Sequence, residues 1–258
     1  MMHDNRRSLR GALAVVVGGS QGIGAAIAEA LAEAGCRLVL AARDADRLEA
    51  SRQQCLEAGA TEADVHPVDV RSPDSIAELS AAVRDRHGVP TVLVNSAGVT
   101  MTKPALEVTV DDWDLAHAVH LRGPFLTAQA FAPAMAAEGY GKVVNLSSTW
   151  ASTVAPGRSV YCAAKAGLSH LTAALAVEWA PLGIRVNAIA PTATRTPSRE
   201  ERFAADPELE ESFRDRIPLG RLAVPADVVG AAQFLAGTDS DFVTGHTLYV
   251  DGGWRFAR

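Results

Sequence analysis

Seven short apolar runs, each followed by a stretch with helical spacing, recur along the chain without a linker-like break, and this alternation limits the fold more than any other feature. The runs are ALAVVV (12–17), RLVLAA (37–42), DVHPV (64–68), TVLVN (91–95), KVVNLS (142–147), RVNAIA (185–190) and TLYV (247–250). Most are apolar throughout rather than alternating, as strands buried on both faces are. The pattern predicts repeated βαβ units on a parallel sheet. With 258 residues, one domain over 1–258 accounts for the whole chain.

Between the runs, the helices carry their own punctuation. One starts at the glycines near Gly22, repeats apolar groups at Ile23, Ile27 and Leu31, and stops at Gly35. Another opens with Ser72 as cap and Pro73 at its first position. Thr109 and Asp112 make a capping box for a helix that carries His117 and His120. An Ala-rich helix runs from about Tyr161 to Trp179, closed by Pro181 and Gly183. Residues 192–217 break the alternation with a polar, helix-prone excursion, placed where a substrate lid would sit.

Composition removes several classes. A net charge of −6 disfavours nucleic acid as a partner, because phosphate binding needs a basic face. The polar start MMHDNRRSLRG and the short apolar run after it predict neither a signal peptide nor a membrane span. Cys36, Cys55 and Cys162 are isolated, so neither a disulfide framework nor a zinc ribbon is expected. A cytoplasmic protein acting on a small molecule fits these features.

GGSQGIG (18–24) joins the first strand to the first helix. In that position Gly18 permits a tight turn, Gly22 lets the backbone approach a pyrophosphate, and Gly24 allows strand and helix to pack closely, with phosphates at the helix N-terminus. A glycine-rich turn without a ligand is the alternative; the strand before it and the helix after it favour nucleotide binding.

GGSQGIG, Asp69, NSAG (95–98), Ser148, YCAAK (161–165), the APT step at 190–192, PLGR (218–221) and TGHTLYVDGG (244–253) occur in the order and rough spacing of the short-chain dehydrogenase/reductase family, which the chain resembles over about residues 10–254. The resemblance implies a Rossmann-type doubly wound α/β sheet with helices on both faces, a nicotinamide cofactor, a catalytic Ser, Tyr and Lys, and a homotetramer. Tyr161 and Lys165 stand four apart on one helix face. A phenol titrates near 10, and an adjacent ammonium with an oxidised nicotinamide would favour the phenolate, fitting Tyr161 for acid/base work near neutrality. Ser148 would hydrogen-bond the reacting oxygen. Lys165 would also reach the ribose hydroxyls, as the resemblance implies.

It likewise implies cofactor contacts from Ser20, Gln21 and Ile23 beside the three glycines, from Asp69 and Val70 around the adenine, and from Asn95, Ala97 and Gly98 along the ribose and nicotinamide. Pro191, Thr192, Thr194 and Thr196 would hold the carboxamide and phosphate. Asn95 could instead tie the fourth strand's end to its neighbours. At the end of the second strand, where an NAD-type fold carries a carboxylate, Ala42 is followed by Arg43, a guanidinium available to a 2′-phosphate. Arg43 could otherwise be a solvated residue paired with Asp44 or Asp46. NADP is the expected cofactor, with NAD possible.

Val17, Ser96 and Thr192 replace, in turn, a Thr, an Asn and a Gly of the common family pattern. His120 is a further departure, standing where many members carry an Asn that bends the helix and holds a proton-relaying water. A neutral imidazole has one donor and one acceptor and titrates near neutrality. Three readings follow: a relay in place of the Asn, a structural histidine bonded to a backbone carbonyl, or a metal site with His117 and Asp111, Asp112 or Asp114. Zinc wants more placed ligands than this, so no metal is expected. Residues 195–216 mix acids with five arginines and present no clean basic patch for an acidic carrier protein. The sequence therefore predicts hydride transfer to or from a carbonyl or secondary alcohol, of a sugar acid, polyol or small cyclic ketone. A 3-oxoacyl thioester is the alternative substrate, and a cofactor-binding sensor with little turnover the alternative function.

Overall fold

The computed structural model describes residues 9–257, so the start as far as Ser8 lies outside the described residues. Each of the seven runs forms a strand: β1 (Leu13–Val17), β2 (Arg37–Ala42), β3 (Ala63–Pro67), β4 (Val92–Asn95), β5 (Gly141–Leu146), β6 (Ile184–Pro191) and β7 (Thr247–Val250). They build one parallel sheet in the order β3-β2-β1-β4-β5-β6-β7. Chain order reverses between β1 and β4, the point at which open α/β sheets bind ligands. Val17 at the end of β1 lies opposite both Ala41 and Asn95, so the strand ends on either side of the reversal are level.

Helices cover both faces. On one lie α1 (Gly22–Glu33), α2 (Ala45–Glu57) and α9 (Pro225–Ala236), whose Ile27, Leu31, Leu48 and Leu235 pack on Ala14, Val16, Leu38 and Val94. On the other, α3 (Pro73–His87), α5 (Gly123–Ala137) and α6 (Ser159–Trp179) press Ile76, Phe131, Met135 and Leu175 onto Val15, Val17, Leu93 and Val143. Successive β1 residues thus feed opposite cores, which is why the run is apolar without alternation. Each such side chain contributes about 1.5–3 kcal/mol by leaving water. The edge strands β3 and β7 are only half-buried.

Of the polar residues buried on the strands, Asn95, Lys142, Asn145 and Asn187, Lys142 alone carries a charge. Lys142 on β5 is fully buried, with its ammonium 2.8 Å from Asp241 and 3.0 Å from Ser240 Oγ. Ser159–Leu182 is, among the described residues, the one helical stretch long and apolar enough to cross a membrane by length and composition. Its Leu168, Thr172, Leu175 and Ala176 are buried within the fold.

The capping box is present: Thr109 Oγ1 accepts from Asp112 N–H, and the Asp112 carboxylate accepts from Thr109 N–H. The continuous helix expected beyond it is not. Helix α4 (Val110–His117) gives way to a π turn over Ala118–Arg122 before α5 begins. Gly123 N–H donates to Ala118 O, five residues back, and Pro124 has no N–H with which to restore the ordinary ladder onto His120. Residues 192–217 do leave the alternation, as two further helices, α7 (Pro197–Ala205) and α8 (Pro207–Arg214). A β-bridge between Thr194 and Ala223 ties their base, and Trp150, Phe203, Phe213 and Trp254 form a separate small core beneath them.

Candidate active site

A cavity of about 390 Å³ opens beyond the carboxyl ends of the strands. Its floor is the glycine turn. Gly18 has φ +85°, and a Cβ there would stand 2.4 Å from Ala97 N; a Cβ on Gly24 would stand 2.1 Å from Gly18 O. Only glycine lets β1, the start of α1 and the 95–98 loop approach so closely. Gly18, Ser20, Gln21, Ile23 and Gly24 line the cavity. Gly22, with φ +58°, lies behind the wall against Thr196.

Ser148, Tyr161, Lys165 and His120 all meet at one end of this cavity. Both serines after β5 line the cavity: Ser147 bonds Ser169 Oγ at 2.7 Å, whereas the Ser148 hydroxyl accepts from Trp150 N–H and bonds the Tyr161 phenol. Tyr161 and Lys165 share a face of α6, with the ammonium 5.8 Å from the phenol ring centroid. Lys165 Nζ donates to Leu146 O at 2.5 Å, and burial pulls its pKa down to about 7. Burial pushes the Tyr161 phenol above its usual value, opposed by the charges of Arg199 and Arg158 and by the Ser148 hydroxyl. The chain's own residues keep Tyr161 protonated, because desolvation of the phenolate outweighs the nearby cations.

His120 is 2% exposed in the π turn, and its ring meets the Tyr161 ring edge-on at 5.0 Å. Nε2 stands 2.9 Å from Val99 O and 3.3 Å from Val99 N, and Nδ1 is buried without a partner among the described residues; with the proton on Nε2, toward the nearer carbonyl, Nδ1 is an acceptor. Burial, reinforced by the Lys165 charge, takes its pKa from 6.5 to about 3. Titration near neutrality is therefore corrected: desolvation excludes the imidazolium, and the ring is neutral at physiological pH. His117 ends α4, stacks on Trp113 at 4.2 Å and gives its Nδ1 to Trp113 O. Among the described residues no group of three or more His, Cys, Asp or Glu could hold a metal ion.

At the opposite end, Ala42, Arg43, Asp44, Arg47, Asp69, Val70 and Arg71 line the cavity. Asp44 is taken up by Arg47, capping its N–H and pairing with its guanidinium at 3.2 Å, and Arg47 also bonds Gln21. Arg43 has no ion-pair partner within 4 Å among the described residues, so the pairing with Asp44 or Asp46 does not form. Arg71 grips Asp69 with both nitrogens, which holds that carboxyl at about 2. Asn95 takes the second of its two expected roles: buried, it donates from Nδ2 to Asn145 Oδ1 at 3.0 Å and ties β4 to β5, while Ser96, Ala97 and Gly98 line the cavity beside it.

Pro191, Thr192, Thr194 and Thr196 complete the lining. Thr194 Oγ1 is spent on Thr192 O, whereas Thr192 Oγ1 is buried with no partner among the described residues. The residues present fit a nicotinamide dinucleotide: the glycine floor admits phosphates, guanidiniums stand at one end, and unpartnered polar atoms at Thr192 and His120 wait at the other. Sequence reasoning missed Arg47, Arg71 and Arg199 in the lining. Arg47 and Arg71 follow strand ends closely enough to have been suspected; Arg199 comes from the excursion, where no local signal marks one arginine among several.

A cavity of this make at the reversal point of a doubly wound sheet belongs to a dinucleotide-dependent oxidoreductase. A family model described as enoyl-(acyl carrier protein) reductase matches residues 17–255. Gluconate 5-dehydrogenase of Gluconobacter oxydans is 36% identical over 253 residues, 98% of each chain, and the L-tagatose-forming galactitol 2-dehydrogenase of Cereibacter sphaeroides is 39% identical over 250 residues, 95% and 96% of the two chains. The fold superposes on a short-chain type dehydrogenase/reductase of Mycobacterium marinum with a TM-score of 0.89, 32% identity and 96% of each chain covered. It also superposes on gluconate 5-dehydrogenase of Burkholderia cenocepacia in complex with NADP and tartrate, with a TM-score of 0.92, 33% identity and 98% and 99% covered. The chain belongs to the short-chain dehydrogenase/reductase family, and its relatives by name are dehydrogenases acting on alcohol groups.

Proposed function

We propose that the protein transfers a hydride between NADP(H) and a secondary alcohol or ketone on a polyhydroxylated carbon chain, with Tyr161 as acid/base. The meeting of Ser148, Tyr161 and Lys165 at one end of a glycine-floored cavity carries this reading. A bound nicotinamide supplies the hydride acceptor or donor. Ser148 Oγ orients the reacting oxygen by a hydrogen bond. Tyr161, protonated in the chain alone, gives its proton to that oxygen in reduction; oxidation starts from the phenolate, which the charges of Lys165 and of a bound oxidised nicotinamide would favour, and the phenolate takes the proton from the alcohol. Lys165 holds positive charge beside the phenol and reaches the ribose, and His120 Nδ1 accepts from a water that returns the proton. The named relatives act on gluconate and galactitol, which supports the polyhydroxylated substrate.

NADP is favoured over NAD by the lone Arg43 and by the missing carboxylate at the end of β2. Helices α7 and α8 close over the substrate as a lid on a single domain. Association into a homo-oligomer, a tetramer by the family resemblance, is supported by apolar Leu106, Val110 and Trp113 exposed around α4; light scattering in solution checks the assembly. Assay of NADP⁺ and NAD⁺ against alditols, aldonates and the corresponding ketones, with a 3-oxoacyl thioester as the alternative substrate, tests the activity. Tyr161→Phe is expected to lower kcat on the best substrate by about 10²–10⁴-fold. A variant as fast as wild type would end the acid/base assignment, and cofactor binding with no turnover across the panel would favour a sensor.

A further inference from the structure

The acids and arginines of residues 195–216 do not neutralise one another evenly. Arg195 pairs with Glu210, and Arg214 with Glu211 and Asp215. Arg199 and Arg202 on α7, Arg216 after α8 and Arg158 before α6 have no carboxylate within 4 Å among the described residues. Arg158, Arg199 and Arg202 stand near enough for their charges to act on one another, and Arg202 also donates to Thr102 Oγ1 at 3.1 Å. Arg199 lines the main cavity, and the charges of Arg199 and Arg158 both pull on the Tyr161 phenol. Arg158 and Arg202 line a smaller cavity of about 240 Å³ next to it, with Arg216.

This second cavity is built rather than incidental. Arg158 is 7% exposed and fixed by a 2.9 Å bond from Nη1 to Met101 O, and Arg216 stacks 4.2 Å over the Trp254 ring. Trp254 is 2% exposed and lines the cavity, yet its Nε1–H has no acceptor among the described residues. Gathering guanidiniums in a half-dry site without a counter-charge is costly, and Arg158 and Arg199 are both made less basic by burial and by their neighbours. Such a site wants an anion with several acceptor oxygens, and a carboxylate matches the guanidinium fork.

We propose that the substrate is an organic anion, a hydroxy acid or its oxo-acid counterpart, whose carboxylate is held by Arg199, Arg202 and Arg158 at the mouth of the Trp254 cavity while its alcohol or carbonyl carbon sits at Tyr161 and Ser148. This rests on the oxidoreductase reading above. The carboxylate takes no part in the redox change: the alcohol carbon loses a hydride to the oxidised nicotinamide and its hydroxyl loses a proton to Tyr161, or the reverse. Neutral polyols would reach the same carbon position without the anchor.

The test measures NADPH-dependent reduction of a six-carbon oxo-aldonate beside a neutral six-carbon ketose. Wild type is expected to favour the oxo acid in kcat/KM by about 30-fold or more, and Arg199→Gln and Arg202→Gln each to cut that preference about tenfold. Because Arg199 also touches Tyr161 electrostatically, the ratio of the two substrates is read rather than either rate. Arg202→Lys, which keeps the charge but not the fork, should recover part of the preference. Independently of turnover, tartrate titrated into the NADP⁺ complex should change the fluorescence of Trp150 and Trp254 with an affinity weakened about tenfold or more in Arg202→Gln. Inorganic phosphate as competitor separates carboxylates from tetrahedral oxyanions; tighter binding of phosphate would overturn the carboxylate assignment. An unchanged ratio in both glutamine variants, or a wild type that prefers the ketose, would overturn the anchor. No hydride transfer to either class, with tartrate still bound through Arg202, would overturn the oxidoreductase reading and leave the anion site standing.

Discussion

Arg43 and His120 show how far a single residue's role depends on what does not touch it. Arg43 is left free because Asp44 is spent on capping and pairing with Arg47. Arg43→Ala is expected to weaken NADPH about tenfold while changing NADH little, measured as dissociation constants by fluorescence titration; equal losses would remove the 2′-phosphate from its role. His120 is held neutral by burial. Between pH 6.5 and about 3 the unfolded chain binds a proton on this ring and the folded chain does not, so His120 makes stability rise with pH across that window and fall on acidification. Thermal melts from pH 6.5 down to 4.5 should show a shallower loss in His120→Asn than in wild type. The same variant should keep most of the activity, and His120→Ala should lose about tenfold through the broken water contact. A limb in the pH-rate profile near 7 would belong to Lys165, and should persist when His120 is replaced.

At the scale of elements, the π turn is what brings His120 to the cavity. Thr109 starts the helix where the capping box predicts, but Pro124 and the tight seat of Gly123 divert it. A Cβ on Gly123 would stand 3.0 Å from Ala118 O and from Val70 Cβ and O, so the turn is wedged against the loop after β3. Gly123→Ala is expected to cost about 1–3 kcal/mol in urea unfolding, and to weaken cofactor binding as well because Val70 lines the cavity. The π turn was not legible in the sequence, since a glycine followed by proline inside an apolar helix reads equally as a kink. The strands were legible almost to the residue, with RLVLAA and TLYV matching β2 and β7 end for end. For Asn95, strand position alone does not say to which side of the pleat a terminal side chain turns, so the sequence left two roles open and the bond to Asn145 shows the one that ties the strands.

Across the whole molecule, the segment after α9 is fastened to the sheet centre by the Lys142–Asp241 pair, which Tyr140 supports by donating its hydroxyl to Asp241 at 2.8 Å. Asp241→Ala strands a buried ammonium and is expected to destabilise the fold by about 1–2 kcal/mol, less than for a fully buried pair because Asp241 is 42% exposed; Lys142→Met should cost less in the same melts. The sequence by itself determined the strand count and the glycine turn, and its resemblance to a known family pointed to Ser148, Tyr161 and Lys165. The first two are written in local spacing: apolar runs, and glycines between a strand and a helix. Only the tertiary structure decided that Asn95 ties β4 to β5, that His120 is neutral, and which arginines of the excursion lack a partner. Those outcomes depend on burial and on pairings between residues distant along the chain, and neither is encoded in any short stretch of it.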